Sequence, residues 1–391
     1  MHGHLALVGV AGRASRADAT GRAGSCTPWH DADMSRLVAV EPALPLTSYP
    51  QHEITATLGP LLATDPGRRV LLERLHAGAG VDRRHLALPL ASYGDLGGFT
   101  AANDRFIALG TDLAARALDA ALTTAGLHPA DVDFLLLTSV TGIAAPSVDL
   151  LVMDRLGMRP DVRRMPSFGL GCAGGAAGLG RVHDYLVGHP GEVAALVCVE
   201  LCSLTLQRGD DSTANLVASA IFGDGAAAAL LTGADHGARA DTDLPQVVGS
   251  RSMVLPGTQE ALGWRVGGDG FRIVLAPGLP EAIAEHLGAQ VHRLLADHGL
   301  AASDVGTWVV HAGGPRILDA VQSALGLPPE ALWASRASLA AVGNLSSASV
   351  LHVLRTTTDR ATPSPGSTGV LLAFGPGVSI DLVLLRWQQE R

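Results

Sequence analysis

The chain has 391 residues and a mass of 40.1 kDa, enough for one large or two medium domains with a substantial core. Its 28 basic and 37 acidic residues give a net charge of −9, and the chain has no basic run. It therefore lacks the positive charge pattern that is typical of nucleic-acid-binding proteins. Four cysteines are too few for a disulfide framework, and Cys198 and Cys202 lack the usual zinc-ligand spacing. We therefore expect small-molecule or protein partners, no metal, reduced thiols and a cytoplasmic location.

The first 33 residues differ in character from the rest of the chain. They contain a short apolar patch from Leu5 to Gly12, and no lysine or arginine precedes it, which argues against a signal peptide. We predict that residues 1–33 form a disordered extension, with Met34 as a candidate start. No apolar run reaches the roughly 20 residues of a membrane-spanning helix, so we expect no membrane partner.

Residues 123–142 and 296–315 share one pattern. Each segment contains the end of a helix, a Gly-Leu stop, a capping turn that ends in Asp-Val and a buried apolar strand. The offset between Asp131 and Asp304 is nearly the offset between Cys172 and Asn344, and each copy closes on Phe-Gly-x-Gly. The pattern predicts two copies of one α/β unit packed about a pseudo-twofold axis.

The predicted strands support an α/β fold with covered sheets. The segments VDFLLLTSV, VAALVCVEL, TWVVHA and GVLLAF are apolar on both faces, as strands are when helices cover both sides of a sheet. We place an N-terminal half at residues 34–245, which carries Cys172, and a C-terminal half at residues 246–391, which carries His311 and Asn344.

Cys172 lies in the glycine-rich stretch PSFGLGCAGGAAGLG. A helix that begins there points free N–H groups at the sulfur, and a nearby imidazole would favour the thiolate further. Such a thiolate attacks thioesters. Two alternatives stay open: a buried cysteine used for packing, and a dinucleotide-binding loop, because GLGCAG also fits G-x-G-x-x-G. The charged and proline-containing DVRRMPS before it is a poor first strand for the dinucleotide motif.

Two polar residues occupy matching places in the second half. His311 follows a buried strand and precedes a Gly-Gly turn, and Asn344 opens the helix that corresponds to the one after Cys172. Each has a structural alternative, as a hydrogen-bonded histidine and as a helix N-cap. Their presence at matching places favours a catalytic role for Cys172 over a packing role.

The motifs GLGCAGG, VELCSLT, LVASAIFGDGAAAA, HAGGPRILD, GNLSSASVL and AFGPG resemble those of type III polyketide synthases, the chalcone-synthase-like branch of the thiolase fold. The resemblance extends from about Val81 to Trp387. It implies a homodimer of five-layered αβαβα subunits whose buried cavity is reached through a pantetheine tunnel. It also implies malonyl-CoA and an acyl-CoA starter as substrates and no cofactor.

The resemblance assigns roles to individual residues. Cys172 is the expected acyl acceptor, His311 and Asn344 the pair that acts on malonyl-CoA, Phe222 the gate between tunnel and cavity, and Arg74 the contact to the CoA phosphates, with Arg68 and Arg69 as other candidates. The remaining expected substrate-binding residues are Val140, Ala145, Thr205, Phe271, Gly313, Ser346 and Phe374.

Val140 and Ala145 depart from the plant pattern, which has a threonine and a methionine there, and relatives that form naphthalenes have a cysteine at the Val140 position. The small Ala145 side chain predicts space for several methylenes, each contributing about 0.8 kcal/mol when buried. We therefore expect a medium or long fatty acyl-CoA starter and alkylpyrone or alkylresorcinol products. The alternative is that Ile143, Leu204 or Phe271 fills the space and the starter is malonyl or short.

Three other functions fit parts of the pattern. A ketoacyl-ACP synthase III uses the same three residue types, although HAGGP and FGPG argue against it. A cysteine thioesterase would transfer the acyl group to water. A non-catalytic partner subunit would keep the fold alone, but it would not need Cys172, His311 and Asn344.

Overall fold

The computed structural model describes residues 34–237, 243–360 and 363–388. The predicted disordered extension, residues 1–33, lies outside the described residues. None of the helices in the described ranges combines the length and the hydropathy that crossing a membrane requires.

Most strands of the described residues belong to one large sheet. The strands are β1 (Ser35–Ala43), β2 (Ser48–Pro50), β3 (Arg83–His85), β4 (Phe134–Ser139), β5 (Arg163–Phe168), β6 (Val193–Leu201), β7 (Asp224–Thr232), β8 (Gln246–Val254), β9 (Leu262–Gly267), β10 (Gly270–Leu275), β11 (Val305–Val310), β12 (Thr368–Gly375) and β13 (Ser379–Arg386). Nine of them pair in the order β11-β12-β13-β8-β1-β7-β6-β4-β5, while β9–β10 and β2–β3 form two small antiparallel pairs.

The helices of the described residues range from nine to 27 residues in length. They are α1 (Gln51–Leu62), α2 (Pro66–Ala77), α3 (Phe99–Ala125), α4 (Val148–Leu156), α5 (Gly174–Gly188), α6 (Thr213–Ile221), α7 (Leu279–Asp297), α8 (Pro315–Leu325), α9 (Trp333–Val342) and α10 (Ser349–Arg360).

The nine-stranded sheet consists of two similar halves. In the first half, β1 and β7 are antiparallel, as are β7 and β6, whereas β6 and β4 are parallel. In the second half, β8, β13, β12 and β11 repeat the same directions. The halves join where β1 pairs with β8 over only two residues. This repetition confirms the predicted internal duplication.

Helices α5 and α10 form the central layer between the two halves of the sheet. Helix α5 contacts β4 and β6 of the first half and β8, β12 and β13 of the second, and α10 contacts β1 and β7 on one side and β11 and β12 on the other. Helix α3 covers the outer face of the first half, and α7 covers that of the second. The layers follow the order αβαβα of the predicted thiolase fold.

The turns that begin the two copies are equivalent in detail. The carboxylate of Asp131 accepts a hydrogen bond from His128 N at 2.7 Å, and Asp304 accepts one from Ala301 N at 2.8 Å. Each aspartate therefore fixes a short 3₁₀ turn just before a core strand. The strands that follow end at Ser139 and Val310.

Candidate active site

Cys172 lies in a 3₁₀ turn, Gly171–Ala173, that leads directly into α5. Gly171 has φ of 51°, and a Cβ on it would lie 2.6 Å from Cδ of Pro376. A Cβ on Gly175 would lie 2.5 Å from the carbonyl oxygen of Ser347. The glycines around Cys172 are therefore required by close packing against the loop after β12 and the turn before α10.

Asn344 connects the turn before α10 to the region of Phe222. Its main-chain N–H donates to Ile221 O at 2.8 Å, and its carbonyl accepts from Gly223 N at 3.0 Å. Its side-chain oxygen accepts from Ser346 N at 2.8 Å, and its side chain is a hydrogen-bonding partner of the Cys172 thiol. Helix α10 begins only at Ser349, so Asn344 forms an Asx-type turn and the N-cap alternative is wrong.

The thiol of Cys172 is hydrogen-bonded to a serine that itself contacts a buried glutamate. Cys172 Sγ lies 3.7 Å from Ser346 Oγ, which donates to Glu200 Oε1 at 3.3 Å. Ser347 Oγ donates to the same oxygen at 2.6 Å. The other oxygen accepts from Thr141 Oγ1 at 2.8 Å, and also from Val140 N and Ser139 Oγ. We call this set, Glu200 with Ser139, Val140, Thr141, Ser346 and Ser347, the Glu200 network.

Burial and hydrogen bonding act on the Cys172 thiol in opposite directions. Burial raises the pKa of the thiol to about 12, and the nearby Glu200 raises it as well, while hydrogen bonds with Ser346 and Asn344 lower it. Desolvation therefore opposes the thiolate, whose stabilisation by the helix start and His311 stays a prediction. Among the described residues, the hydrogen-bonding partners of the thiol do not include His311.

His311 follows β11 directly and is 2% exposed. The main-chain N–H of His311 donates to Leu372 O at 2.9 Å. The ring Nδ1 is buried and has no hydrogen-bond partner among the described residues. Burial lowers the pKa of His311 to about 3, so the imidazole is neutral at physiological pH. A Cβ on Gly313 would lie 3.3 Å from the His311 ring, so the glycine keeps space beside the imidazole.

Aromatic rings continue from Phe222 along the β9–β10 pair. The Phe222 and Trp264 rings lie 6.5 Å apart, and the Trp264 and Phe271 rings lie 6.3 Å apart. Phe271 also makes an edge-on contact with Phe99 at 5.5 Å. The predicted aromatic residues Phe222 and Phe271 thus belong to one wall, whose central ring, Trp264, the sequence analysis missed.

Two cavities adjoin this wall. A cavity of about 740 Å³ lies between α3, the segment after β6 and β10, and its lining includes Thr141, Leu204, Thr205 and Phe271. A second cavity of about 30 Å³ is lined by Cys202, Thr205, Phe222 and Trp264, among others. Thr205 therefore borders both cavities, and its contact with substrate stays a prediction.

A third cavity, of about 350 Å³, lies on the other side of Ile221. Its lining is mainly apolar and includes Leu75, Ile221, Gly314, Pro315 and Arg316. Arg74 is exposed on α2, next to the lining residue Leu75. Of the other candidates for a phosphate contact, Arg68 donates to Asp211 O and Arg69 donates to Ala63 O.

Three expected substrate-binding residues do not line any of the three cavities just described. Ala145 is exposed in the loop before α4, and neither it nor Val140 lines the 740 Å³ cavity. Val140 is buried and uses its N–H for the Glu200 network. Phe374 is 3% exposed and belongs to the hydrophobic core between the sheet and the central helices.

Glu200 is the main feature that the sequence analysis missed. The sequence does contain a signal for it, because Glu200 is the single acid in the apolar strand β6, and every residue of that strand is buried. A carboxylate in such a place needs several donors. Those donors come from separate segments, around Thr141 and around Ser346, so local sequence does not reveal them.

Family models match both halves of the chain. Residues 98–236 match the model for the N-terminal domain of chalcone and stilbene synthases, and residues 246–388 match the model for the C-terminal domain. The chain belongs to the chalcone and stilbene synthase family. It is a bacterial type III polyketide synthase, an acyltransferase of a family that condenses malonyl-CoA units. The dinucleotide-binding alternative is wrong: the strand before Cys172, β5, lies at the edge of a thiolase-type sheet.

Several members of the family are similar over almost the whole synthase. The 1,3,6,8-tetrahydroxynaphthalene synthase of Streptomyces peucetius subsp. caesius is 53% identical over 351 residues, 90% of this chain and 93% of that protein. The alpha-pyrone synthesis polyketide synthase-like Pks18 of Mycobacterium tuberculosis is 32% identical over 83% of this chain and 84% of its own length. The crystal structure of 1,3,6,8-tetrahydroxynaphthalene synthase from Streptomyces coelicolor A3(2) superposes with a TM-score of 0.85 at 31% identity, covering 91% of this chain and 100% of that one.

Proposed function

We propose that this synthase uses malonyl-CoA both as starter and as extender and releases a pentaketide that closes to a naphthalene of the 1,3,6,8-tetrahydroxynaphthalene type. The observation that carries the proposal is the 53% identity to a synthase with that product, over 90% of this chain. Val140 and Ala145, from which the fatty acyl starter was expected, do not line the 740 Å³ cavity of the single chain.

The chemistry of the product favours a malonyl starter. A fused naphthalene forms only if the far end of the chain carries a methylene acidic enough to attack a carbonyl. A malonyl starter provides such a methylene next to its carboxyl group, whereas a saturated fatty acyl chain ends in an unreactive methyl group. The starter therefore decides between a naphthalene and an alkylpyrone.

We assign the reaction steps to the three residues that the sequence analysis selected. Cys172 accepts the acyl group from CoA as a thioester. His311 and Asn344 donate hydrogen bonds to the thioester oxygen of malonyl-CoA, where negative charge develops when the carboxylate leaves as CO₂. The neutral state of His311 supports this role, and each donor contributes about 2–4 kcal/mol to such a transition state in a water-poor site. The enolate carbon then attacks the Cys172 thioester, and no metal or organic cofactor takes part.

We assign the 350 Å³ cavity to the pantetheine arm of CoA. It is mainly apolar, and Ile221 in its wall directly precedes the proposed gate, Phe222. Arg74 and Arg316 are both exposed near its lining, where cations would meet the phosphates of CoA.

We also propose that the synthase is a homodimer. Strand β5 is an edge strand, and Met165 and Phe168 on it are about half exposed, as is Ile143 in the loop nearby. A monomer would leave these apolar side chains and an open sheet edge in water. Light scattering on the purified protein should give twice the 40.1 kDa of the chain, and Phe168→Asp should shift the mass toward that of one chain. A monomeric wild-type protein would contradict the assignment.

A second candidate starter has one observation in its favour. The 740 Å³ cavity has a mixed polar and apolar lining, which includes Leu61, Leu96, Phe99 and Leu204, and it reaches Thr141 of the Glu200 network. A cavity of this size and lining accommodates either a folded pentaketide or an extended alkyl chain.

Product analysis separates the two candidates. The purified synthase is given malonyl-CoA alone and, in parallel, malonyl-CoA with dodecanoyl-CoA. We expect tetrahydroxynaphthalene or its oxidation product from malonyl-CoA alone and little change when dodecanoyl-CoA is added. If malonyl-CoA alone gives no product and dodecanoyl-CoA yields alkylpyrones, the malonyl-primed proposal is wrong.

A further inference from the structure

Arg84 is a buried cation next to the proposed gate, Phe222. Its side chain is 2% exposed, whereas its neighbour Arg83 on β3 is exposed. Arg84 Nη1 donates to the main-chain oxygen of Phe222 at 2.7 Å, and Arg84 Nε donates to Gln51 Oε1 at 3.0 Å. The side-chain nitrogen of Gln51 donates in turn to Ala220 O at 2.8 Å. Arg84 and Gln51 therefore bind two carbonyl groups on either side of the point where α6 ends.

The carbonyl groups at the end of α6 need such partners, because the last turn of a helix cannot satisfy its own acceptors. The carbonyl of Ile221 accepts from Asn344 N at 2.8 Å, so Asn344 holds one side of this chain end and Arg84 the other. Burial lowers the pKa of Arg84 to about 10, while Asp224 raises it, so the guanidinium is charged at neutral pH. A positive charge there also interacts favourably with the negative end of the helix dipole.

The stem of Arg84 packs against the residue that precedes Asn344. A Cβ on Gly343 would lie 3.1 Å from both Cγ and Cδ of Arg84 and 2.7 Å from Ile221 O, and Gly343 has φ of 75°. Phe222 and Asn344 form an isolated parallel β-bridge beside this contact. Arg84 therefore contacts both the segment that carries the gate and the segment that carries the amide donor.

The remaining nitrogen of Arg84, Nη2, is buried and has no hydrogen-bonding partner among the described residues. Arg84 and Phe222 both line the cavity of about 30 Å³. A volume of this size holds about one water molecule, which is enough to accept a hydrogen bond from Nη2 but excludes an acyl group. Arg84 therefore acts on the reaction through Phe222 and not by contact with the substrate.

We propose that Arg84 is a positioning residue that fixes the Phe222 ring relative to Asn344, at the place where the malonyl carboxylate leaves as CO₂. An apolar ring beside the carboxylate keeps water and counter-charge away from it, which favours decarboxylation. A displacement of about 1 Å of a group in such a site lowers a rate by as much as about a hundredfold. This inference rests on the proposed places of Phe222 and Asn344 at malonyl-CoA.

The first part of the test measures the position of Phe222 directly. Para-fluorophenylalanine replaces Phe222 in the full chain, and its fluorine NMR signal is recorded without substrate. We expect one narrow signal when Arg84 is present and a shifted or broadened signal in Arg84→Met, which has no donor. Arg84→Lys should lie between the two, because an ammonium group can reach Phe222 O but lacks the fixed fork that also binds Gln51.

Two further variants control this measurement. Gln51→Met removes the acceptor of Arg84 Nε and the donor to Ala220 O, so it should also shift the signal, and it keeps the test decisive if Arg84→Met does not fold. Arg83→Met is the matched control, since Arg83 lies on the same strand but donates to Ser48 Oγ at 3.0 Å. We expect it to leave the signal unchanged.

The second part measures malonyl-CoA decarboxylation in the Cys172→Ala background. We expect Arg84→Met to lower kcat about tenfold or more with less than about a threefold change in KM, because the CoA portion of the substrate binds elsewhere. In Phe222→Ala, which has no ring to position, adding Arg84→Met should have little further effect. Arg83→Met should keep the rate of the parent.

An unchanged fluorine signal in both Arg84→Met and Gln51→Met would overturn the proposal, as would losses of kcat from Arg84→Met that are equally large with and without the Phe222 ring. The fluorine measurement does not depend on activity. If the protein with Arg84 in place does not decarboxylate malonyl-CoA, the proposed function is wrong, and the fluorine signal still decides whether Arg84 positions Phe222.

Discussion

At the scale of single residues, the buried and neutral imidazole of His311 has a direct consequence for the pH dependence of decarboxylation. Because burial lowers the pKa of His311 to about 3, this ring should not take up a proton anywhere between pH 8 and pH 5. Its ability to donate to an enolate oxygen is therefore retained across that range.

We predict that malonyl-CoA decarboxylation, measured as acetyl-CoA or CO₂ formation in the Cys172→Ala variant, is nearly independent of pH from 8 to 5. His311→Ala or Asn344→Ala in the same background should lower it by about a hundredfold or more, because each removes one donor to the developing oxyanion. A fall in rate centred near pH 6.5 would mean that His311 titrates as an ordinary histidine.

Arg74 and Arg316 provide a second prediction at this scale. Removing either cation should raise KM for malonyl-CoA by about three- to tenfold with little change in kcat, because the CoA phosphates are distant from the reacting atoms. Neither change should affect KM for malonyl-N-acetylcysteamine, which lacks the phosphates. Equal effects on the two substrates would show that the arginines act on the fold instead.

The sequence was sufficient to identify the candidate catalytic residues but not the protonation state of Cys172. Cys172, His311 and Asn344 could be selected because the two copies place them at matching elements. The protonation state of Cys172 could not be predicted, since it depends on desolvation and on Glu200. This glutamate is 28 positions away along the chain and is linked to Cys172 through Ser346. The number of donors around a buried acid is a property of tertiary structure.

At the scale of elements, the crossing of α5 and the turn before α10 determines the position of Cys172. Gly175 lies at this crossing, where a Cβ would come within 2.5 Å of Ser347 O and 2.6 Å of Val350 Cγ1. Gly188 ends the same helix in open space, with nothing within 4 Å of an added Cβ. The two glycines thus form a matched pair for the same substitution.

We predict that Gly175→Ala lowers the free energy of unfolding by about 1–3 kcal/mol, because the helices must separate to admit the methyl group. The shift should also weaken the contact between Cys172 and Ser346 and slow acylation. Gly188→Ala should change stability by no more than about 1 kcal/mol. Urea unfolding followed by circular dichroism measures both, and equal stability of the two variants would contradict the close crossing.

The core elements followed the sequence more closely than the peripheral ones. Strands β4, β6 and β12 were recognisable because each is mainly apolar and is buried on both faces. The β9–β10 pair was not, since β9 is partly to fully exposed and mixes glycine, arginine and tryptophan without an alternating pattern. Its contribution, the Trp264 ring, therefore came from the structure.

At the scale of the whole molecule, several buried ionisable groups make folding stability depend on pH. Burial lowers the pKa of His76 to about 3, and the ring is held between Thr55 and Ser219 by hydrogen bonds of 2.9 and 3.1 Å. Between about pH 3 and pH 6.5 the unfolded chain binds a proton at His76 that the folded chain does not. This group therefore stabilises the fold less as the pH falls through that window.

We predict that replacing His76 by glutamine reduces the slope of unfolding free energy against pH, between pH 6 and pH 4, by about 1.4 kcal/mol per pH unit, the equivalent of one proton. Buried Asp224, whose pKa is raised to about 6, acts in the opposite direction in both proteins and cancels from the comparison. Identical slopes for the variant and the wild type would show that His76 is protonated in the folded state.

The central claim is that Cys172 carries a chain that grows by decarboxylative condensation of malonyl-CoA. The most direct measurement is intact-protein mass spectrometry during turnover with malonyl-CoA alone, combined with analysis of the released products. We predict malonyl-derived acyl groups on Cys172, a naphthalene product, and neither of them in Cys172→Ala, which still decarboxylates malonyl-CoA. Polyketide formation by Cys172→Ala, or release of unextended free acid by the wild type, would contradict the account.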